Sequence, residues 1–171
     1  MVTTDQFEAL MTGQIDIGFV RPPVEAAAFE SRLILKEPLV AALPSGDPRI
    51  GRGPLRPSAF DGLPLIMYSR IGATYFNSML RRLFDVANAA PEFVQHVTQI
   101  HSMLGLVRAG VGAAIVPASA VKLHLDDIHF CEFITTPERP VELHMAWRPD
   151  NNNPALASML DLCSAVAGET A

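Results

Sequence analysis

The sequence predicts an α/β fold arranged as two lobes, and three observations carry that expectation. Short apolar runs of strand length alternate with amphipathic segments of helix length along all 171 residues, the pattern of layered sheets with largely parallel strands. A chain of this size buries about 70% of the surface its unfolded form exposes, enough for one average domain or two small lobes. The turn around Ser45 and the proline-bearing stretch 135–140 mark the places where the chain could cross between lobes. On that reading residues 1–44 and 140–171 form a near lobe and residues 45–139 a far lobe.

The elements follow in order. Thr3 and Gln6 fit a capping box. Phe7, Leu10 and Met11 continue the helix, and Gly13 stops it. The run 15–20 (IDIGFV) is a short strand, ended by Pro22 and Pro23, which cannot donate to a sheet. The run 31–43 is strand-like with Pro38 inside it, which suits an edge strand or a bend. Residues 44–48 turn, 50–57 are loop, and Phe60 to Gly62 close a short helical turn. A strand at 65–68, a loop at 69–72 and an amphipathic helix at 74–86 come next, with Phe76, Met79, Leu80, Leu83 and Phe84 on its apolar face. After a strand at 93–97, His101 or Ser102 caps a helix that ends at Gly110. Strands at 113–116, 128–133 and 141–147 follow, and Pro154 stands in the first turn of a final helix.

Composition excludes several classes. With 13 basic and 18 acidic residues the net charge is −5, the wrong sign for a nucleic-acid-binding surface. The 49% hydrophobic content argues against disorder. No secretory signal and no membrane span is visible. Cys131 and Cys163 lack the close pairing of a zinc site. They read as buried thiols in a reducing compartment, the cytoplasm.

No catalytic constellation emerges. The histidines have no metalloprotease spacing, and His124 and His129 read as a solvated loop rather than a metal site. Gly110 and Gly112 follow a helix and precede a strand, the reverse of a dinucleotide loop. There is no phosphate-binding loop and no nucleophile elbow, so neither a cofactor nor an enzyme is expected. Only His101 and Asp16 are candidates for acid–base work. Arg21 is different, because it sits at the carboxyl end of a strand, where open α/β sheets bind ligands. Its guanidinium can hold a carboxylate bidentately, or pair with Glu25 on the surface. Helix N-termini near Thr3, at 72–74 and at 101–102 could offer amides to the same anion.

Residues 10–21 (LMTGQIDIGFVR), 37–44 (EPLVAALP) and above all 102–117 (SMLGLVRAGVGAAIVP) together resemble the effector-sensing domain of LysR-type transcriptional regulators. The resemblance runs through essentially the whole chain and is greatest to the branch that senses aromatic-catabolism metabolites such as muconate or benzoate. It implies a fold like periplasmic binding proteins, two α/β lobes joined by two crossover strands, with a small carboxylate effector in the cleft. It implies that Thr3, Arg21, Phe76 and Ile100 line that cleft. Tyr68, Ser69, Gln99, His101 and Ser102 join them from their places at strand ends and helix caps. It also implies a homo-oligomer, a dimer. DNA would be reached only through a winged-helix domain, which these residues do not contain. Because a helix begins within three residues of Met1 with no strand before it, the expectation is an N-terminally truncated chain with an incomplete near lobe. The rival expectation is an enzyme or solute-binding protein on the same bilobed fold.

Overall fold

The computed structural model of the chain describes residues 1–25 and 27–168. Its elements, in chain order, are α1 (Thr3–Met11), β1 (Gly18–Val20), β2 (Glu30–Glu37), β3 (Leu39–Pro44), β4 (Pro64–Tyr68), α2 (Thr74–Val86), β5 (Glu92–Val97), α3 (Ile100–Arg108), β6 (Ala113–Pro117), β7 (Ile128–Glu132), β8 (Val141–Trp147) and α4 (Leu156–Gly168). Short 3-10 helices occupy Pro57–Phe60 and Ala118–Leu123. They divide between two compact units, Met1–Lys36 with Val141–Ala171, and Glu37–Pro140.

The first unit is built on a three-stranded sheet in the order β1-β8-β2. β1 runs antiparallel to β8, with Phe19 opposite Met145. Leu10, Val20, Phe29 and Ala146 form its buried core, with Phe7, Ile15, Val24 and Ala28 packed around them. The Phe7 and Phe29 rings stack with centroids 5.0 Å apart. Gly18 lets α1 lie close, since a Cβ there would come within 3.1 Å of Leu10 Cδ1.

The second unit holds a five-stranded sheet in the order β5-β4-β6-β3-β7. β4 is parallel to both β5 and β6, whereas β3 is antiparallel to both β6 and β7. The expectation of largely parallel sheets therefore holds only for the strands joined through α2 and α3. Parallel neighbours need a crossover between them, usually an α-helix, and the links β3–β4 and β6–β7 carry only short 3-10 helices. Every residue of β6 is buried, as is all of β4 after Pro64, as expected of strands covered on both faces. Met103, Leu104 and Val107 of α3 and Leu80 and Phe84 of α2 fill that core.

The long run 31–43 bends at Pro38, as its proline suggested, and divides into β2, an edge strand, and β3, an interior strand paired on both sides. Proline is tolerated because it stands between the two strands. The unit boundary falls after Lys36, not after Pro44, because β3 makes all its pairings in the second sheet. α1 begins at Thr3 with Val2 as its N-cap, so Thr3 and Gln6 form no capping box. Their side chains serve β1 and Arg21 instead. α3 is capped by Gln99, two residues before the earliest expected cap. The final helix starts at Leu156, beyond Pro154. Cys131 and Cys163 are free and only half-buried.

Candidate functional site

The parallel part of the second sheet, β5-β4-β6, has the strand order produced when the first crossover runs one way and the next runs back past it. Right-handed crossovers then put α2 and α3 on opposite faces, and ligands of open α/β sheets bind outside the carboxyl ends at such a reversal. At that end β4 finishes with Tyr68, paired to Val97 of β5. The Ser69 N–H donates to Val97 O at 2.8 Å, which draws the β4–α2 and β5–α3 loops together. Gly72, at φ 78°, lets the first loop turn, and a Cβ there would touch Thr98. The Ile71 N–H donates to Ser69 Oγ at 3.1 Å, and Thr74 Oγ1 donates to Arg70 O at 3.0 Å.

Two helix N-termini therefore stand beside each other. The N-cap of α2 is Ala73 and that of α3 is Gln99, and neither provides a side-chain hydrogen bond to its helix. The first-turn amides, Thr74 to Phe76 and Ile100 to Ser102, have no intrahelical acceptor, and both helix dipoles present their positive ends there. Gln99, His101 and Ser102 are exposed, and Ile100 and Ser69 are half-buried. Tyr68 is buried and its ring stacks on Phe76, centroids 4.7 Å apart. Tyr75 meets Phe76 edge-on and its Oη donates to Pro140 O. The segments that build the two loops carry no acid of their own: between Asp61 and Asp85, and again between Glu92 and Asp126, the sequence contains no carboxylate.

Two residues that sequence reasoning missed shape this end. Asn77, 4% exposed, donates through Nδ2 to Tyr68 O and accepts from Arg81 Nε at 3.1 Å, tying α2 to the end of β4. Its place three residues before Leu80 and seven before Phe84, on an otherwise apolar stripe, was a usable signal. Glu37, also buried, accepts the Ser119 N–H at 2.9 Å just beyond β6. Nothing local in the sequence marks Glu37, because its partner lies 82 residues away.

In the first unit, Arg21 follows β1 and is half-buried. Its N–H donates to Thr3 Oγ1 at 3.1 Å and its Nη1 to Glu142 O at 2.7 Å. Thr3 and Arg21 are thus brought together. The Glu142 carboxylate receives Lys36 Nζ at 2.7 Å and faces His144 Nε2 at 3.2 Å. Lys36 first, and His144 second, hold its carboxyl below the usual range. Asp16 has Oδ1 and Oδ2 each 2.9 Å from the side-chain amides of Asn151 and Asn153, a loop tie rather than a proton-transfer group. Burial raises the Cys131 thiol. Among the described residues no group of three or more His, Cys, Asp or Glu side chains could hold a metal ion. No helix among them is long and apolar enough to cross a membrane.

The family model described as the LysR substrate binding domain matches residues 1–168. Among curated proteins the chain is 29% identical to the HTH-type transcriptional regulator IlvR of Caulobacter vibrioides over 92% of its own length and 53% of that protein's. It is 31% identical to the HTH-type transcriptional regulator CatR of Pseudomonas putida, over 78% of its length and 46% of the regulator's. The chain thus spans about half the length of the curated relatives it matches. Among solved structures, full-length CbnR complexed with its target DNA superposes at a TM-score of 0.86 with 26% identity, covering 98% of this chain and 58% of that one. The BenM effector-binding domain with its effector benzoate gives a TM-score of 0.83 at 24% identity, covering 99% and 77%, and shows the fold.

Proposed function

Because the chain belongs to the LysR substrate-binding-domain family, we propose that it is the effector-sensing part of a transcriptional regulator and that its ligand is a small organic acid of aromatic origin. The observation that carries this reading is the carboxyl end of β4 and β5. Two helix N-termini without side-chain caps meet there, each in its own stretch of sequence free of acidic residues, within a chain whose overall charge is negative. Such a place favours an anion. The proposed contacts are Tyr68, Ser69, Phe76, Gln99, Ile100, His101 and Ser102 of the second unit and Thr3 and Arg21 of the first. Phe76 on Tyr68 offers an aromatic surface, and Ser102 and Gln99 offer polar side chains.

Sensing rather than turnover is favoured by Asp16, one of two candidate acid–base groups, whose carboxylate is occupied by Asn151 and Asn153. The names of the relatives support assignment to transcription control, and CatR and benzoate-bound BenM support an aromatic-derived effector. DNA contact would fall to a winged-helix domain outside residues 1–171, with assembly as a dimer in the cytoplasm. The test is calorimetric titration with benzoate and cis,cis-muconate, followed by chromatography of the acid after prolonged incubation. Saturable binding with the acid recovered intact is the expected result. Consumption of the acid would favour the enzyme, and heat-silent titrations with both acids would remove the aromatic-acid assignment.

A further inference from the structure

We propose that Asn77 is the positioning residue that makes the carboxyl end of β4 prefer an anion to a neutral aromatic of the same shape, a role that rests on the aromatic-acid reading above. Asn77 is buried on the same helix as the buried Leu80 and Phe84. A carboxamide in such a place is costly unless its groups are bonded, and both of them are. Nδ2 donates to Tyr68 O, and Oδ1 accepts from Arg81 Nε at 3.1 Å. A guanidinium only donates, so Arg81 takes the oxygen end of the amide and leaves the NH2 end for Tyr68. Arg81 is itself held over the Phe93 ring, 4.9 Å from its centroid, and Phe93 pairs with Leu65 in the sheet. The direction of the Asn77 amide is therefore set from β5 as well as from α2.

What the bond achieves is electrostatic. The strands β4 and β5 end in carbonyl oxygens, which are acceptors with partial negative charge. They end beside the helix N-termini, whose first-turn N–H groups an anion needs. A strand-end carbonyl turned toward those amides competes with a carboxylate for them and repels it. Here the last carbonyls of both strands are met by donors. Val97 O receives the Ser69 N–H at 2.8 Å, and Tyr68 O receives Asn77 Nδ2. The Ser69 donor is main chain and would come with almost any side chain. The Asn77 donor depends on the residue itself. A leucine would suit the apolar neighbours Leu80 and Phe84 but would bring no donor to Tyr68 O. An aspartate would satisfy Arg81 but would set a second acceptor against the carbonyl. Only a neutral group with both a donor and an acceptor serves both partners.

The test compares benzoate with benzamide, which share ring and size but differ in charge, by calorimetry on the 171-residue chain and on Asn77→Leu. The substitution is neutral, so the overall charge of the protein is unchanged. The unaltered chain is expected to bind benzoate more tightly than benzamide. In Asn77→Leu, benzoate affinity is expected to fall about tenfold and benzamide affinity less than about twofold, the scale of one hydrogen bond felt by the acid alone. Asn77→Ser, whose hydroxyl is too short to reach Tyr68 O, is expected to narrow the preference in the same direction and serves if the leucine variant unfolds. Equal losses for the two ligands would mean that Asn77 only braces the fold, and would overturn the inference. An unchanged preference would overturn it as well. If the unaltered chain itself shows no preference for the acid, or does not bind it, the aromatic-acid reading fails first and takes this inference with it.

Discussion

The hydrogen bonds that hold Arg21 include its N–H to Thr3 Oγ1 and its Nη1 to the main chain of Glu142. A guanidinium is a planar fork of five donors, and the bond to Glu142 fixes its direction. Arg21→Ala is expected to weaken binding of an aromatic acid by about 1.5–3 kcal/mol, the scale of a charged hydrogen bond, as read by calorimetry. Glu142 titrates below its ordinary value because Lys36 and His144 favour its charged form. A depressed folded value contributes stability that is present above the ordinary 4.5 and is lost as pH falls through the folded value. Thermal melts between pH 6 and pH 3 are therefore expected to show an acid-side loss that is smaller in Glu142→Gln. Thr3 and Arg21 were both legible as candidates in the sequence. Glu142 was not, because it lies 121 residues from Arg21 and meets it only through sheet pairing.

The elements show why local pattern served well in some places and poorly in others. Helix α2 and strand β8 lie at the expected residues, 74–86 and 141–147, since each has a periodic apolar face and clear ends. The helix starts went differently. At α1 and α3 the polar residues that would cap an isolated helix are inside its first turn, and Val2 and Gln99 take the cap positions. Thr3 and Gln6 had better partners in β1 and Arg21 than in their own helix. Gly112 marks a constraint that pattern alone could not grade. A Cβ there would lie 2.9 Å from Pro64 O and 3.1 Å from Pro64 C, which are backbone atoms that cannot swing aside. Gly112→Ala should separate the start of β6 from β4 and cost about 1–3 kcal/mol, the range for overpacking. Urea unfolding measures that loss directly.

For the molecule as a whole, each unit has its own sheet and its own buried core. A sensor should gain stability from its ligand by mass action, about 2.7 kcal/mol at a hundredfold excess over the dissociation constant. With a shift of roughly 2–4 °C per kcal/mol for a chain of this size, the melting temperature should rise by several degrees with benzoate or cis,cis-muconate. An unmoved midpoint at saturating acid would contradict the sensing role. From the order of its apolar runs the sequence by itself determined the α/β class, most helix and strand positions and the resemblance to LysR effector domains, because periodicity and capping act within a few residues. Only the tertiary structure decided that β3 joins the second sheet, that Glu142, Lys36 and His144 gather beside Arg21, and that Gln6 bonds both main-chain groups of Phe19. Those outcomes depend on partners from 13 to 121 residues away, whose meeting is set by sheet pairing and burial rather than by any local preference.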